Sequence, residues 1–182
     1  MSENMVASEV LQMLNEYFEI MVEVIFRRGG TLDKFIGDEI MAIWGAPFSR
    51  PDDVAQAVAT AVEMQQALVE YNETRSEEGL PPIYTGIGLN TGELVAGYMG
   101  STRSMSYTVV GDVVNTASRV TSLAGPGDVV ITADTLGPIK DLVEVEALPP
   151  TKVKGKREPI EIFKVVGLTR EVPYPEPTAH SS

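Results

Sequence analysis

The sequence contains no cysteine among its 182 residues and a single histidine, His180. Disulfide bonds, thiolate zinc sites and cysteine nucleophiles are therefore excluded, as are histidine-based triads and metal sites with two histidines. No apolar run reaches the roughly 18 residues of a membrane-spanning helix, and the first residues lack the regions of a signal peptide. We expect a cytoplasmic protein whose chemistry depends on carboxylates, lysine, arginine, amides and hydroxyls.

Positive charge is also scarce. Fourteen Lys and Arg face 26 Asp and Glu, so the formal net charge is −12. A field of this sign repels polyphosphate backbones and anionic lipids, so we expect no nucleic-acid partner and no membrane contact. A phosphate-bearing ligand would need a local group of cations or a bound metal ion.

The composition is that of a soluble globular domain, with 43% hydrophobic and 22% charged residues. We expect one domain over residues 1–168. The last stretch, residues 169–182, is rich in proline and is predicted to be a disordered tail.

The pattern of apolar residues predicts both helices and strands. The three- and four-residue spacing over residues 7–28 predicts an amphipathic helix. Two extended runs that meet at residues 37–38 predict a tight antiparallel hairpin, and the runs 83–90 and 94–99 predict a second strand pair. These elements favour an α+β sandwich, with helices packed on a mainly antiparallel sheet.

Asp38 is the first candidate for chemistry, because it follows a glycine at the predicted hairpin tip. The strands would hold this carboxylate rigid and exposed, and hard divalent cations prefer such oxygen ligands. Lys34 lies on the same strand and is expected on the same face. Taken alone, an ordinary turn aspartate and a solvated lysine are the simpler interpretations.

The segment Tyr107–Arg119 holds a second group of candidates. Asn115 and Arg119 are four residues apart on a predicted helix, so their side chains share one face and can reach one ligand. An amide that orients a sugar oxygen, beside a guanidinium that binds phosphate, suits an anionic ligand. Thr108, just before the helix, offers a donor and an acceptor. An exposed helical face remains the alternative.

Lys154 belongs to a cationic loop, Val153–Arg157, in this acidic chain. A glycine between two lysines lets the backbone approach a phosphate while the ammonium groups supply charge. The loop is not a P-loop, whose Gly-x4-Gly-Lys-Ser/Thr pattern is absent from the sequence. Residues 86–88 do not form a dinucleotide fingerprint either, because the third glycine is missing.

Together these segments resemble, in order and spacing, the catalytic domain of class III nucleotidyl cyclases. The resemblance covers roughly residues 7–168, and it rests on residues 29–42 (GGTLDKFIGDEIMA), 86–92 (GIGLNTG), 110–119 (VGDVVNTASR) and 153–156 (VKGK). It implies a ferredoxin-like, palm-type α+β sandwich. It also implies a homodimer with active sites at the subunit interface, where ATP becomes 3′,5′-cyclic AMP and pyrophosphate.

The resemblance also implies roles for individual residues. Asp38 matches the second of two aspartates that hold two divalent ions, Mg or Mn, in this family. Lys34 and Thr108 match the pair that reads the base, and a Lys/Thr pair resembles the adenylyl type. Asn115 matches the residue that orients the ribose, and Arg119 matches the one that stabilises the transferring phosphoryl group. The terminal phosphates are held in the family by a lysine that Lys154 matches.

The sequence departs from the family pattern at the first metal-binding aspartate. In the family it lies on an opening strand of the type Phe-x-Asp-Ile-x-Gly-Phe-Thr, whereas this sequence opens at residues 1–5 already near the first helix. Glu3 and Glu9 do not replace it, since they belong to another element. We therefore expect a truncated chain or a strand exchanged from elsewhere, an opened sheet, and little or no activity of this chain alone.

Two other functions remain open from the sequence. A non-catalytic nucleotide-binding or dimerisation module would explain the departure, although the intact site residues disfavour it. A guanylyl cyclase is disfavoured by Lys34 and Thr108, because guanylyl enzymes of the family typically carry Glu and a small residue such as Cys there.

Overall fold

The computed structural model describes residues 6–177. Its helices are α1 (Ala7–Arg27), α2 (Asp53–Glu77), α3 (Asp112–Leu123) and the short α4 (Ala133–Leu136), followed by a 3₁₀ turn (Gly137–Ile139). Its strands are β1 (Thr31–Ile36), β2 (Glu39–Ile43), β3 (Ile87–Leu89), β4 (Val95–Ser101), β5 (Ser104–Val110), β6 (Val129–Thr132), β7 (Val143–Thr151) and β8 (Ile160–Leu168). None of the helices in this part of the chain combines the length and apolarity needed to cross a membrane.

The strands form three sheets: the hairpin β1-β2, the hairpin β4-β5, and a four-stranded sheet in the order β3-β6-β8-β7. Strands β3 and β6 are parallel and every other pair is antiparallel. The predicted α+β class with a mainly antiparallel sheet is confirmed, as is the hairpin at residues 37–38.

The predicted pairing of residues 83–90 with 94–99 is wrong. Strand β4 instead pairs along its length with β5, from Val95 opposite Val110 to Ser101 opposite Ser104. A long local ladder closed by a tight turn satisfies the backbone of β4. The shorter β3 joins the buried strand β6 in another sheet.

The core lies between the long helices and the strands. Helix α1 buries one face, formed by Tyr17, Met21, Val24 and Ile25, against Met64 and Leu68 of α2. A second cluster joins α2 to the four-stranded sheet, around Val58, Ala61 and the fully buried Ile131. Because α2 takes part in both clusters, it connects the first hairpin and α1 to the larger sheet.

The base of the β1-β2 hairpin is fixed to the end of α1. A Cβ atom on Gly30 would lie 2.5 Å from the ring of Trp44, so only glycine fits at this close approach. The Nε1 of Trp44 donates a hydrogen bond of 3.0 Å to the carbonyl oxygen of Arg28. The strand that leaves α1 therefore starts from a fixed position.

Residues 169–177 correct the expectation of a disordered tail. The Val172 side chain is buried, and its carbonyl oxygen accepts a hydrogen bond of 3.0 Å from Arg28 Nη1. Gln56 donates to the Pro173 carbonyl oxygen at 2.7 Å, and the Arg28 guanidinium lies 4.2 Å from the centre of the Tyr174 ring. Contacts from the buried Arg28 and from Gln56 therefore hold this segment against α1 and α2. The predicted disordered tail also included residues 178–182, which lie outside the described residues.

We predict unequal stability losses for two neighbouring arginines that contact the same carboxylate. Arg28 is buried and contacts Glu63 at 2.6 Å, whereas Arg27 contacts Glu63 at 3.1 Å with 47% of its side chain exposed. Arg28→Met should lower the free energy of unfolding by about 2 kcal/mol, because buried hydrogen-bond partners lose their donor. Arg27→Met, the control, should cost less than about 0.5 kcal/mol. Urea denaturation measures both, and equal losses would contradict the assigned role of Arg28.

Candidate active site

The hairpin tip presents Asp38 to solvent. Ile36 pairs with Glu39, which leaves Gly37 and Asp38 as a two-residue loop. Gly37 has a φ of 61°, as expected of the first loop residue in a type II′ turn. Burial raises the pKa of the Tyr17 hydroxyl, and the negative charge of Asp38 adds to this increase. Asp38 is therefore an accessible carboxylate close to helix α1.

Lys34 and Thr108 are brought together by the fold. Lys34 Nζ donates a hydrogen bond of 3.0 Å to Thr108 Oγ1, although the two residues are 74 positions apart. The threonine is buried, whereas 44% of the lysine side chain is exposed. This bond joins the two hairpins, and it leaves the ammonium group with further N–H donors at the surface.

Helix α3 places Asn115 and Arg119 on one wall of a cleft. Gly111 precedes the helix with a φ of 149°, a conformation that favours glycine and lets β5 turn directly into α3. Asn115 and Arg119 line a cleft of about 720 Å³ together with Lys154. The i, i+4 spacing therefore does direct both side chains to one shared space.

The opposite wall of the cleft comes from the loop after β7. Val153 is buried and anchors the loop, and its carbonyl oxygen accepts a hydrogen bond from the Lys156 amide at 3.1 Å. This turn presents Lys154, and Gly155 continues it with a φ of 88°. The cleft is also lined by Lys152, which the sequence analysis missed although it begins the same run of cations.

The cleft has a cationic lining in a chain of strong negative charge. Its lining residues are Asn115, Ser118, Arg119, Lys152, Val153 and Lys154, so three of the six are cations and none is acidic. A concentrated positive potential of this kind attracts an anion with several charges. An inorganic or nucleotide polyphosphate fits this description.

Glycines 86 and 88 contribute to the site through packing. A Cβ atom on Gly86 would lie 2.5 Å from the Ala124 carbonyl oxygen, and one on Gly88 would lie 2.3 Å from the Thr121 amide nitrogen. These two positions let α3 lie directly against β3. They therefore set the position of the helix that carries Asn115 and Arg119.

The predicted residues fall into two groups and one separate position. Lys34 contacts Thr108, while Asn115, Arg119 and Lys154 share the cleft. Within residues 6–177, no hydrogen bond or ion pair joins Asp38 to either group. The same residues contain no cluster of three or more histidine, cysteine, aspartate or glutamate side chains that could hold a metal ion.

The fold agrees with the comparisons to known proteins. Residues 1–167 match the family model described as the adenylate and guanylate cyclase catalytic domain. The chain belongs to this family. Adenylate cyclase 1 of Rhizobium meliloti is 34% identical over 179 residues, which cover 94% of the chain and 26% of that protein. The chain thus spans about a quarter of the length of this relative.

Solved structures of both nucleotide classes resemble the chain. The adenylyl cyclase CyaB from P. aeruginosa has a TM-score of 0.88 at 30% identity, covering 94% of this chain and 89% of that one. The guanylyl cyclase Cya2 has a TM-score of 0.86 at 42% identity, covering 92% of this chain and 85% of that one. Similarity of fold therefore does not show whether the base is adenine or guanine. That choice depends on the side chains of the candidate site.

Proposed function

We propose that this chain is an adenylyl cyclase catalytic domain, which converts ATP into 3′,5′-cyclic AMP and pyrophosphate at the interface of a homodimer. The observation that carries the choice of ATP is the hydrogen bond between Lys34 and Thr108. Because Thr108 fixes the lysine, an N–H of the ammonium group can be directed at a base. Unprotonated N1 of adenine accepts such a bond, whereas N1 of guanine carries a proton.

The cleft supplies the groups that this reaction needs for the sugar and phosphates. Asn115 has an amide that can hold the ribose, so that its 3′-hydroxyl lies in line with the α-phosphorus. Arg119 can stabilise the charge that develops on the transferring phosphoryl group. Lys154 and Lys152 can bind the terminal phosphates and stabilise the departing pyrophosphate.

Members of this family use divalent metal ions, and we propose Mg or Mn for this chain. Such ions activate a hydroxyl and neutralise phosphate charge when bound. Asp38 is suited as one ligand, because it is an exposed carboxylate on a rigid hairpin. Within residues 6–177, Asp38 is not part of any cluster of three or more histidine, cysteine, aspartate or glutamate side chains that could hold a metal ion. We propose that the second aspartate of the two-metal site comes from a segment other than residues 6–177.

The homodimer is supported by the exposed side chains of the β4-β5 hairpin. Tyr98, Met99, Met105 and Tyr107 each expose more than half of their surface. Adjacent exposed apolar and aromatic side chains of this size mark interaction surfaces. We propose that a second copy of the chain covers them, and that each copy supplies part of the active site.

The test is titration of the 182-residue chain with a non-cyclisable ATP analogue and with the matching GTP analogue, with and without Mn. We expect calorimetry to show metal-dependent binding that favours the ATP analogue, because Lys34 reads the base and Asp38 can bind the ion. The same chain should form little or no cyclic AMP from ATP, since one carboxylate does not fix two ions. Equal or absent binding of both analogues would contradict ATP recognition. Rapid metal-dependent turnover would contradict the expectation that this chain alone is inactive.

The second candidate is a nucleotide-binding module without catalysis, which is favoured by the position of Asp38 outside the cationic cleft that Asn115, Arg119 and Lys154 line. Supplying the chain with an opening strand of the type Phe-x-Asp-Ile-x-Gly-Phe-Thr separates the two functions. An adenylyl cyclase gains turnover with this strand, whereas a binding module does not.

A further inference from the structure

Strand β1 contains an irregularity next to the lysine that we assign to base recognition. Leu32 pairs with Ala42 and Lys34 pairs with Met41, so Asp33 is an extra residue without a partner on β2. In a regular strand, neighbouring side chains point to opposite faces. A bulge changes this direction locally. Here it allows the side chains of Asp33 and Lys34 to approach each other.

Asp33 is buried in an unusual way for a carboxylate. Only 4% of its side chain is exposed, and its Oδ2 has no hydrogen-bond partner among the described residues. Lys34 Nζ lies 3.5 Å from this oxygen, and its hydrogen bond is made to Thr108 instead. An isolated buried carboxylate is costly, so its attraction to the neighbouring ammonium group is its main compensation.

We propose that Asp33 is a positioning residue that holds Lys34 for recognition of adenine, an inference that rests on the proposed function. The ammonium group lies between two anchors, the Asp33 carboxylate and the Thr108 hydroxyl. A lysine has three N–H donors, so an anchored ammonium group still has a donor for N1 of the base. Asp33 thereby reduces the side-chain freedom that Lys34 must lose when ATP binds.

Because Asp33 is negatively charged, the direction of the change in nucleotide binding when it is replaced tests the proposal. Removing one carboxylate from a chain with a net charge of −12 should strengthen binding of an anionic nucleotide if only the overall field mattered. Positioning of Lys34 predicts the opposite result. The two explanations are therefore separated by the direction of the change.

The experiment compares Asp33→Asn with the unaltered chain in calorimetric titrations with the ATP analogue. We expect binding to weaken about fivefold, the size appropriate to a partly exposed ion pair, while binding of the GTP analogue is not weakened. Glu144→Gln is the matched control, since it removes an exposed carboxylate from β7 in another sheet. Asp33→Thr removes the same charge with a residue suited to a strand, so it repeats the test if Asp33→Asn does not fold.

A double-mutant cycle with Lys34→Gln distinguishes positioning from a general structural role. Asp33→Asn should have no further effect on ATP-analogue binding once Lys34 is replaced, because its action passes through that residue. Unchanged or stronger binding by Asp33→Asn, or the same weakening in both backgrounds, overturns the inference and leaves the proposed function intact. Absence of ATP-analogue binding by the unaltered chain, or no effect of Lys34→Gln, overturns the proposed function itself.

Discussion

Arg119→Gln is expected to lower kcat for cyclic AMP formation by about 10²–10³-fold, with a small effect on KM for ATP. The guanidinium lies in the cationic cleft, and in the proposed reaction it stabilises the charge that grows on the transferring phosphoryl group towards the transition state. The measurement is steady-state turnover of a form of the protein that carries the opening aspartate strand as well as residues 1–182.

The control for Arg119→Gln is Arg170→Gln, which removes the same charge from an exposed position after β8. Arg170 does not line the cleft, so its replacement should leave kcat nearly unchanged. A rise in KM with kcat preserved would instead assign Arg119 to ground-state phosphate binding. Loss of turnover in both variants would indicate a general effect of charge.

The double substitution Lys34→Glu with Thr108→Cys is expected to reduce the preference for ATP over GTP by about 10²-fold. A carboxylate at position 34 cannot donate a hydrogen bond to N1 of adenine, but it can accept one from the N1–H of guanine. A polar group in the site that lacks a hydrogen-bond partner weakens binding. The two residues must change together, because Lys34 donates directly to Thr108. The ratio of dissociation constants for the two nucleotide analogues measures the effect.

Lys140→Glu is the matched control for the change of base, because it reverses the charge of an exposed lysine after the 3₁₀ turn. It should weaken both nucleotides by a similar small factor and leave their ratio unchanged. An unchanged ratio in the double variant of Lys34 and Thr108 would show that another part of the chain selects the base.

Local patterns predicted the parts of the site that depend on neighbours in sequence. The Gly37-Asp38 hairpin tip follows from two extended runs with a glycine between them, and the structure has this turn. The common face of Asn115 and Arg119 follows from the helical repeat alone. Glycine and lysine in the loop after β7 indicated an anion site, and Lys154 does line the cleft.

Features that depend on distant contacts could not be obtained from these patterns. The hydrogen bond between Lys34 and Thr108 joins two hairpins whose relative position is set by the whole core. The bulge at Asp33 leaves no signal in the alternation of a short strand. Gly86 and Gly88 have meaning only through the helix that packs on them. The segment after residue 168 looked disordered because its partner, Arg28, lies far away in the sequence.

The contact between Gly30 and Trp44 gives the protein an intrinsic optical probe. Trp44 is the only tryptophan of the sequence, and its indole packs on Gly30 and bonds to the end of α1. The same hairpin carries Lys34 on its first strand and Asp38 at its tip. Changes in indole emission therefore report movement at the base of the β1-β2 hairpin, and an added fluorophore is not needed.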